Sequence, residues 1–184
     1  MQYRTMRFQK TEDRVSLLGF GCMRFPKTES GAIDRERAGK MLDTALKAGV
    51  NYIDTAYPYH DGESEPFLGR ILAKYARDSY YLATKLPVWL VNTAKEAQAV
   101  FDGQLDRLQV SYVDYYLFHA LNRERWEKLK GSGIIEWAEQ LKQEGKIRHL
   151  GFSFHDDYEV FREIITYRQG DFCQIQYNYM DRDI

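Results

Sequence analysis

The feature that most constrains the fold of this sequence is a regular alternation of short apolar segments with longer segments of helical periodicity. The short segments are rich in β-branched and aromatic residues, and they recur every ~25–35 residues, which is the length of one strand–helix unit. We predict strands at residues 15–23, 51–54, 80–85, 113–119, 149–153 and 172–177. Residues 17–21 and 115–118 are apolar without alternation, which is typical of parallel strands covered on both faces.

Helix boundary signals fill the intervals between these segments. Side chains that can cap a helix N-terminus precede the periodic stretches, and glycines that can end a helix follow two of them. The predicted caps are Asp34, Ser64, Thr93 with Glu96, and Asp156, and the predicted ends are Gly49 and Gly145. The order is therefore βαβαβαβαβαβ, preceded by a polar prefix whose turn, at residues 10–14, is expected to make a hairpin with the first strand.

Composition excludes several classes of function. The 184 residues carry 26 Lys+Arg against 27 Asp+Glu, for a net charge of −1. A chain so balanced has no bulk attraction to nucleic acid or to an anionic membrane surface. No apolar run approaches the ~20 residues that span a bilayer, and residues 1–6 lack the apolar core of a signal peptide. We therefore predict a cytoplasmic protein with one domain over residues 1–184.

The cysteine content indicates neither a disulfide scaffold nor a metal site. Cys22 and Cys173 are the two cysteines of the sequence, and they lack the paired spacing of metal ligands. We expect both thiols to be reduced and buried in apolar packing.

The length leaves two architectures open. A closed eight-stranded α/β barrel typically needs ~250 residues and at least ~200, whereas 184 residues hold six strands at the observed spacing. The sequence ends directly after the sixth predicted strand. From the residues alone, it is either a complete open sheet or a barrel without its last quarter.

Ionisable residues stand at the ends of three successive predicted strands. Asp54 ends the second strand, Lys85 the third and His119 the fourth, and Tyr59 follows in the loop after Asp54. Neighbouring strands lie ~4.8 Å apart and reactive groups of parallel α/β folds gather at the carboxyl ends of strands. The three side chains are therefore expected within ~10 Å of one another, with Tyr59 folding back over them.

The chemistry of this set suits the reduction of a carbonyl group. A phenol is a weak acid, and a nearby ammonium stabilises the phenolate that remains after proton transfer. Lys85 can supply the ammonium, Asp54 can hold it protonated, and His119 can donate a hydrogen bond to a substrate oxygen. Taken singly, Asp54, Lys85 and Tyr59 are more often structural, and a histidine such as His119 is about as often structural as functional. Their coincidence at successive strand ends is what points to catalysis.

Five motifs in this order resemble those of the aldo-keto reductases, which are NAD(P)H-dependent reductases on an eight-stranded α/β barrel. The sequence contains Asp54-Thr55-Ala56 with Tyr59, Gly62, Glu63 and Leu68-Gly69, then Ala83-Thr84-Lys85, residues 114–119 ending in His119, residues 145–153 ending in Gly151-Phe152-Ser153, and Gln174-Ile175-Gln176-Tyr177-Asn178. The resemblance covers nearly the whole chain. It implies an α/β fold of the (β/α)8 TIM-barrel type, here with about six strands and an N-terminal hairpin.

The resemblance also implies a role for each matching residue. Tyr59 would be the proton donor, Asp54 and Lys85 its tuning pair, and His119 the partner of the substrate oxygen. The residues that would contact the cofactor, NADP(H) or alternatively NAD(H), are Met23, Asp54, Ser153 and Gln174. The activity implied is NADPH-dependent reduction of an aldehyde or ketone, a small molecule whose pocket Trp89 is a candidate to line. No role for a metal ion in this activity is expected.

Two departures from the family pattern matter for the cofactor. Phe154 and His155 follow the motif serine where the family usually has Asn, and the two βα units that bind the pyrophosphate and adenosine have no counterpart here. We therefore expect weak activity, or none, from this chain alone. The sequence also resembles a bacterial branch that often carries a [4Fe–4S] centre, which would require a segment beyond residue 184.

Other interpretations remain open from the sequence. The chain could be a non-catalytic binding or regulatory subunit on the same scaffold, or, more weakly supported, a sugar-phosphate barrel enzyme. Six strands would leave two unpaired sheet edges, through which copies of the chain could associate.

Overall fold

The computed structural model describes residues 1–8, 12–167 and 170–180. The N-terminal prefix forms an antiparallel hairpin of β1 (Tyr3–Arg7) and β2 (Glu12–Ser16), with pairing from Tyr3↔Ser16 to Arg7↔Glu12. The expected hairpin is confirmed. The turn predicted at residues 10–14 is wrong for residues 12–14, which belong to β2, and Lys10 lies outside the described residues.

Six further strands form the main sheet in the order of their sequence, β3-β4-β5-β6-β7-β8. They are β3 (Phe20–Gly21), β4 (Tyr52–Asp54), β5 (Tyr81–Leu86), β6 (Val113–Leu121), β7 (Ile147–Phe154) and β8 (Phe172–Ile175). The pairs β3/β4, β4/β5 and β7/β8 are parallel. This consecutive order is the one that the strand–helix repeat predicts.

The first predicted strand, residues 15–23, is wrong as a single element. Residues 15 and 16 belong to the hairpin, and only Phe20–Gly21 join the main sheet. Leu17 and Leu18 lie between the two strands and are each 62% exposed. The apolar run without alternation is therefore an exposed connection between two sheets here, and not a strand covered on both faces.

In the described residues, six α-helices lie in the intervals of the main sheet, one in each interval except that between β6 and β7, which contains two. They are α1 (Arg35–Lys47), α2 (Ser64–Leu72), α3 (Ala94–Leu108), α4 (Arg123–Leu129), α5 (Ile134–Gln143) and α6 (Tyr158–Tyr167), with single 3₁₀ turns at Arg77–Ser79 and Val88–Leu90. Helix α4 was not predicted, because its seven residues are too few for a clear period. The others lie in the predicted intervals.

The predicted helix caps are correct only in part. Asp34 caps α1, since its carboxylate accepts a first-turn N–H at 3.1 Å. Ser64 does not cap α2, because its hydroxyl instead lies 2.8 Å from that of Thr55 and both are buried. Asp157, and not Asp156, accepts the first-turn N–H of α6. A cap whose partner lies in the next turn of the chain is therefore predictable from the sequence. The hydrogen bond of a side chain whose partner is distant in the sequence is not.

The chain divides into two compact units, residues 1–84 with 104–113 and residues 85–103 with 114–184. The core of the first unit is formed by large apolar side chains, among them Leu42, Ile53, Phe67, Leu72 and Leu82. The core of the second is more aromatic and includes Phe101, Tyr115, Tyr116, Phe154 and Leu86. The expectation of one domain over residues 1–184 remains a prediction.

The two cysteines differ in exposure. Cys22 is buried, as expected, but Cys173 is exposed on β8, so the prediction of apolar packing is wrong for Cys173. In the parts of the chain that the structure describes, no helix has the length and apolar character that crossing a membrane requires.

Candidate active site

Asp54 ends β4 in the first unit and is held by its strand neighbours. It is buried and pairs with Gly21 on one side and Ala83 on the other. The N–H of Cys22 donates to the Asp54 carbonyl at 2.8 Å, and the N–H of Thr55 donates to the Ala83 carbonyl at 2.9 Å. These bonds hold the backbone of Asp54 and Thr55 between the two neighbouring strands.

Tyr59 lies on the turn that follows β4. Its N–H donates to the Ala56 carbonyl at 3.1 Å, and its carbonyl accepts from the N–H groups of Gly62 and Ser64, each at 3.2 Å. The phenol side chain is half-buried. The turn is tight, because the next residue, His60, has a left-handed φ of 54°. The backbone of Tyr59 is therefore anchored in both directions along the chain.

The Tyr59 turn also holds the segment that follows β3. The imidazole of His60 accepts the N–H of Phe25 at 3.0 Å, and the carboxylate of Glu63 accepts the N–H of Ile33 at 3.2 Å. Burial, followed by the charge of Lys27, lowers the pKa of His60, which favours the neutral form that can accept this bond. Met23, expected to contact the cofactor, is exposed near the start of this segment.

A buried polar cluster lies behind the turn, in the same unit. Glu65, 1% exposed, accepts from the Thr84 hydroxyl at 2.7 Å and from the Gln104 amide at 2.8 Å. Its other oxygen accepts the Nε–H of Arg107 at 2.9 Å and lies 2.8 Å from Nη2 of the same guanidinium in an ion pair. The ring of Tyr57 stacks on that guanidinium, 5.1 Å away. Sequence reasoning missed this cluster, which fixes Thr84 directly before Lys85.

Lys85 and His119 both belong to the second unit, Lys85 on β5 and His119 on β6. Lys85 is 1% exposed. Burial lowers the pKa of His119 to about 3, helped by the charges of Lys85, Arg125 and His155. The imidazole is therefore neutral near pH 7, where it can donate one N–H but cannot serve as a cationic acid.

An aromatic ring and a guanidinium lie next to His119. The indole of Trp89 packs against the imidazole with ring centroids 5.2 Å apart, and the guanidinium carbon of Arg125 lies 4.8 Å from the indole centroid. Arg125 also donates to the Ala120 carbonyl at 2.7 Å. Trp89 was a candidate pocket residue from the sequence, whereas Arg125 was missed, because it lies on the unpredicted helix α4.

Ser153 and Gln174 are neighbours across β7 and β8. They are Cα partners in the parallel register, and the Ser153 hydroxyl accepts the N–H of Ala120 at 2.7 Å. The Ser153 O–H remains able to donate, and the exposed Gln174 side chain offers an amide oxygen and an NH2 group. A carboxamide has one acceptor and two donors, so this pair fits the nicotinamide carboxamide. Phe154, which replaces the usual Asn, is buried against Phe161.

Among the described residues, no cluster of three or more His, Cys, Asp or Glu side chains has the arrangement of a metal site.

The low pKa of His119 makes a testable prediction about stability. A histidine with a folded pKa of about 3 and an unfolded pKa of about 6.5 binds more protons when unfolded. The free energy of unfolding should therefore fall as the pH drops from about 6.5 towards 3, by up to roughly 2 kcal/mol at pH 5 relative to pH 7.5. His119→Gln should remove this part of the pH dependence in urea denaturation.

His155→Gln is the control, because the exposed His155 contributes least among the causes that lower the pKa of His119, so its loss should change the slope much less than His119→Gln does. Equal slopes for the wild type and His119→Gln would show that the imidazole does not change protonation on unfolding.

The family model described as "Aldo/keto reductase family" matches residues 17–184. The chain belongs to the aldo/keto reductase family. The matched solved structures share its α/β fold, so the predicted fold class, a barrel type with six strands present, is confirmed.

Individual relatives match across most of the chain. The chain is 29% identical over 175 residues to the NADH-specific methylglyoxal reductase of Escherichia coli strain K12, with 83% of the chain and 52% of the relative covered. It matches the holo form of aldo-keto reductase AKR11C1 from Bacillus halodurans at 29% identity and a TM-score of 0.80, covering 96% of the chain and 58% of that structure.

A third match contains a cofactor. It is an aldo-keto reductase from Klebsiella pneumoniae in complex with NADPH, at 27% identity and a TM-score of 0.75, with 97% of the chain and 59% of that structure covered. The chain thus spans about half the length of the curated relative and under two thirds of these solved structures.

Proposed function

We propose that the protein reduces an aldehyde or ketone to an alcohol with a nicotinamide cofactor, NADPH or NADH. The observation that carries the proposal is that a chain of this family retains Asp54, Lys85 and His119 at or within two residues of the carboxyl ends of their strands. Tyr59 lies on the turn after Asp54. One relative is named an NADH-specific reductase, and another was solved in complex with NADPH. The proposal therefore includes both forms of the cofactor.

Tyr59 is the proton donor in this proposal. The neutral imidazole of His119 donates its N–H to the carbonyl oxygen and polarises it, and a neutral imidazole is a poor proton source. The phenol of Tyr59 therefore supplies the proton that the oxygen takes up. The bound cofactor supplies the hydride that reaches the carbonyl carbon.

Lys85 and Asp54 form the pair that supports Tyr59. The Lys85 ammonium stabilises the phenolate left after proton transfer, and the Asp54 carboxylate keeps the lysine charged. Burial of both side chains supports this role, because a buried ammonium or carboxylate without an opposite charge would be costly. In the first unit, Asp54 pairs in register with Ala83 of β5.

Ser153 and Gln174 are proposed to hold the nicotinamide carboxamide. Their adjacency across β7 and β8 supports this assignment, and Met23 and Asp54 are proposed as further cofactor contacts. We propose that the 184 residues alone turn over weakly or not at all, since the relatives that bind cofactor are much longer. Unpaired edges of the sheet are proposed to allow self-association.

The proposal is tested by following NADPH and NADH oxidation with a panel of aldehydes, with protein expressed from its complete reading frame. Aldehyde-dependent oxidation with formation of the alcohol is the expected result, and the 184 residues alone should be slower. Absence of oxidation with every aldehyde, while NADPH still binds, would contradict the proposal and favour a binding subunit on the same scaffold.

A further inference from the structure

Arg125 is the feature of the second unit that the reduction of a simple carbonyl leaves unused. Its guanidinium is half-buried and lies on the indole of Trp89, which in turn packs on the imidazole of His119. The proposed reaction needs an N–H at His119 and a proton from Tyr59, but it does not need a permanent cation one aromatic ring away from the carbonyl site.

The position of Arg125 is fixed by its surroundings. One guanidinium nitrogen donates to the Ala120 carbonyl at 2.7 Å, directly after His119, and the guanidinium plane is held by the indole. Helix α4 is further held against the 3₁₀ turn Val88–Leu90, since the Lys128 ammonium donates to the Val88 carbonyl at 3.0 Å. A guanidinium restrained in this way loses little side-chain entropy when it binds an anion.

No carboxylate in the described residues neutralises the charge of Arg125. Among the described residues, no carboxylate lies within salt-bridge distance of Arg125, whereas its neighbour Arg123 pairs with Glu163 at 2.6 Å. The charge of Arg125 acts on His119, where it lowers the imidazole pKa together with Lys85 and His155. The surroundings of His119 therefore contain a pre-positioned cation with free donors, and an anion on the substrate would complement it.

We propose that the protein takes carbonyl substrates that carry an anionic group, a carboxylate or a phosphate, and that Arg125 binds this group. One aromatic ring separates the guanidinium from the imidazole, so the anion lies a few carbon atoms from the carbonyl and not directly beside it. This inference rests on the proposed reductase function and specifies its substrate class.

The test compares matched substrates with the protein from the complete reading frame. The pairs are 4-oxobutanoate against butanal and glyceraldehyde 3-phosphate against glyceraldehyde, and together they distinguish a carboxylate from a phosphate. We expect kcat/KM at least about 10-fold higher for one or both anions. Arg125→Gln should lower that kcat/KM about 10- to 100-fold, mainly through KM, and change the neutral aldehydes less than about threefold.

Two further variants separate binding of the anion from support of the fold. Arg125→Lys retains the charge without the planar pair of donors and should restore part of the preference. Arg123→Gln makes the same charge change on the same helix, at a residue already paired with Glu163, and should leave the preference intact. Equal losses for anionic and neutral aldehydes in Arg125→Gln, or a loss confined to the KM for NADPH, would overturn the inference.

A binding measurement keeps failure of this inference separate from failure of the reductase proposal. Succinate should quench the fluorescence of the three tryptophans, which include Trp89, while succinamide should not, and Arg125→Gln should abolish the difference. Reduction of neutral aldehydes without a preference for anions, or succinate binding that Arg125→Gln leaves unchanged, would overturn the inference. Succinate binding without reduction of any aldehyde would support the anion site and contradict the reductase proposal alone.

Discussion

Tyr59→Phe is expected to lower kcat for aldehyde reduction about 10²- to 10⁴-fold, the usual contribution of a positioned general acid. The substitution removes the only proton that the phenol can give and leaves the ring in place. His119 cannot take over the role, because burial and neighbouring cations hold its pKa at about 3. The measurement is single-turnover NADPH oxidation with saturating aldehyde, together with the Kd for NADPH, which should not change.

Tyr57→Phe is the matched control for this prediction. It removes a hydroxyl two residues away but keeps the ring that lies 5.1 Å from the Arg107 guanidinium, so its kcat should remain within about twofold of the wild type. Retention of near wild-type kcat by Tyr59→Phe would rule out Tyr59 as the proton donor. Equal losses in the two variants would point to a general disturbance of the turn.

Glu65→Leu is expected to lower the free energy of unfolding by about 3 kcal/mol or more. The substitution leaves the buried hydroxyl of Thr84, the amide of Gln104 and the guanidinium of Arg107 without their shared acceptor. Removing one partner of a buried ion pair typically costs about 3–5 kcal/mol. Partial exposure of Arg107, whose side chain is 32% accessible, places the expected cost at the lower end of that range. Urea denaturation measures it.

A double-mutant cycle tests whether the loss comes from the cluster. The double variant Glu65→Leu/Arg107→Leu should lose much less unfolding free energy than the sum of the losses in the two single variants, because the two side chains interact directly. Glu36→Gln serves as the surface control, since both side chains of the Glu36–Lys40 pair are exposed and the change should leave the free energy of unfolding nearly unaltered. A Glu65→Leu cost similar to that of Glu36→Gln would show that the cluster does not stabilise the fold.

Strand positions were predictable because their signals are local, and a run such as residues 113–119 is short, apolar and rich in aromatic residues. The predicted ends at Lys85 and His119 were too early, since β5 continues to Leu86 and β6 to Leu121. The same approach failed at Leu17 and Leu18, because the local pattern of a buried strand also fits a short exposed crossing between two sheets. Exposure there depends on where the hairpin lies, which a window of neighbouring residues does not encode.

The supporting residues of the candidate site were not predictable from local patterns. Glu65 resembles an ordinary first-turn acidic residue of a helix, and its partners Gln104 and Arg107 follow 39 and 42 residues later. Arg125 lies on a short helix, and its relation to Trp89 exists only after folding. A charged residue whose partner is distant in sequence therefore gives no signal without an alignment or a structure.

The residues of this chain are expected to support hydride transfer from a nicotinamide to a carbonyl carbon. The most direct measurement uses NADPH with deuterium at both C4 positions of the nicotinamide, with 4-oxobutanoate or butanal as substrate, and mass spectrometry of the product. The protein from the complete reading frame should give an alcohol with one deuterium per molecule, and Tyr59→Phe should form it far more slowly. An alcohol without deuterium, or no alcohol at all, would contradict the account.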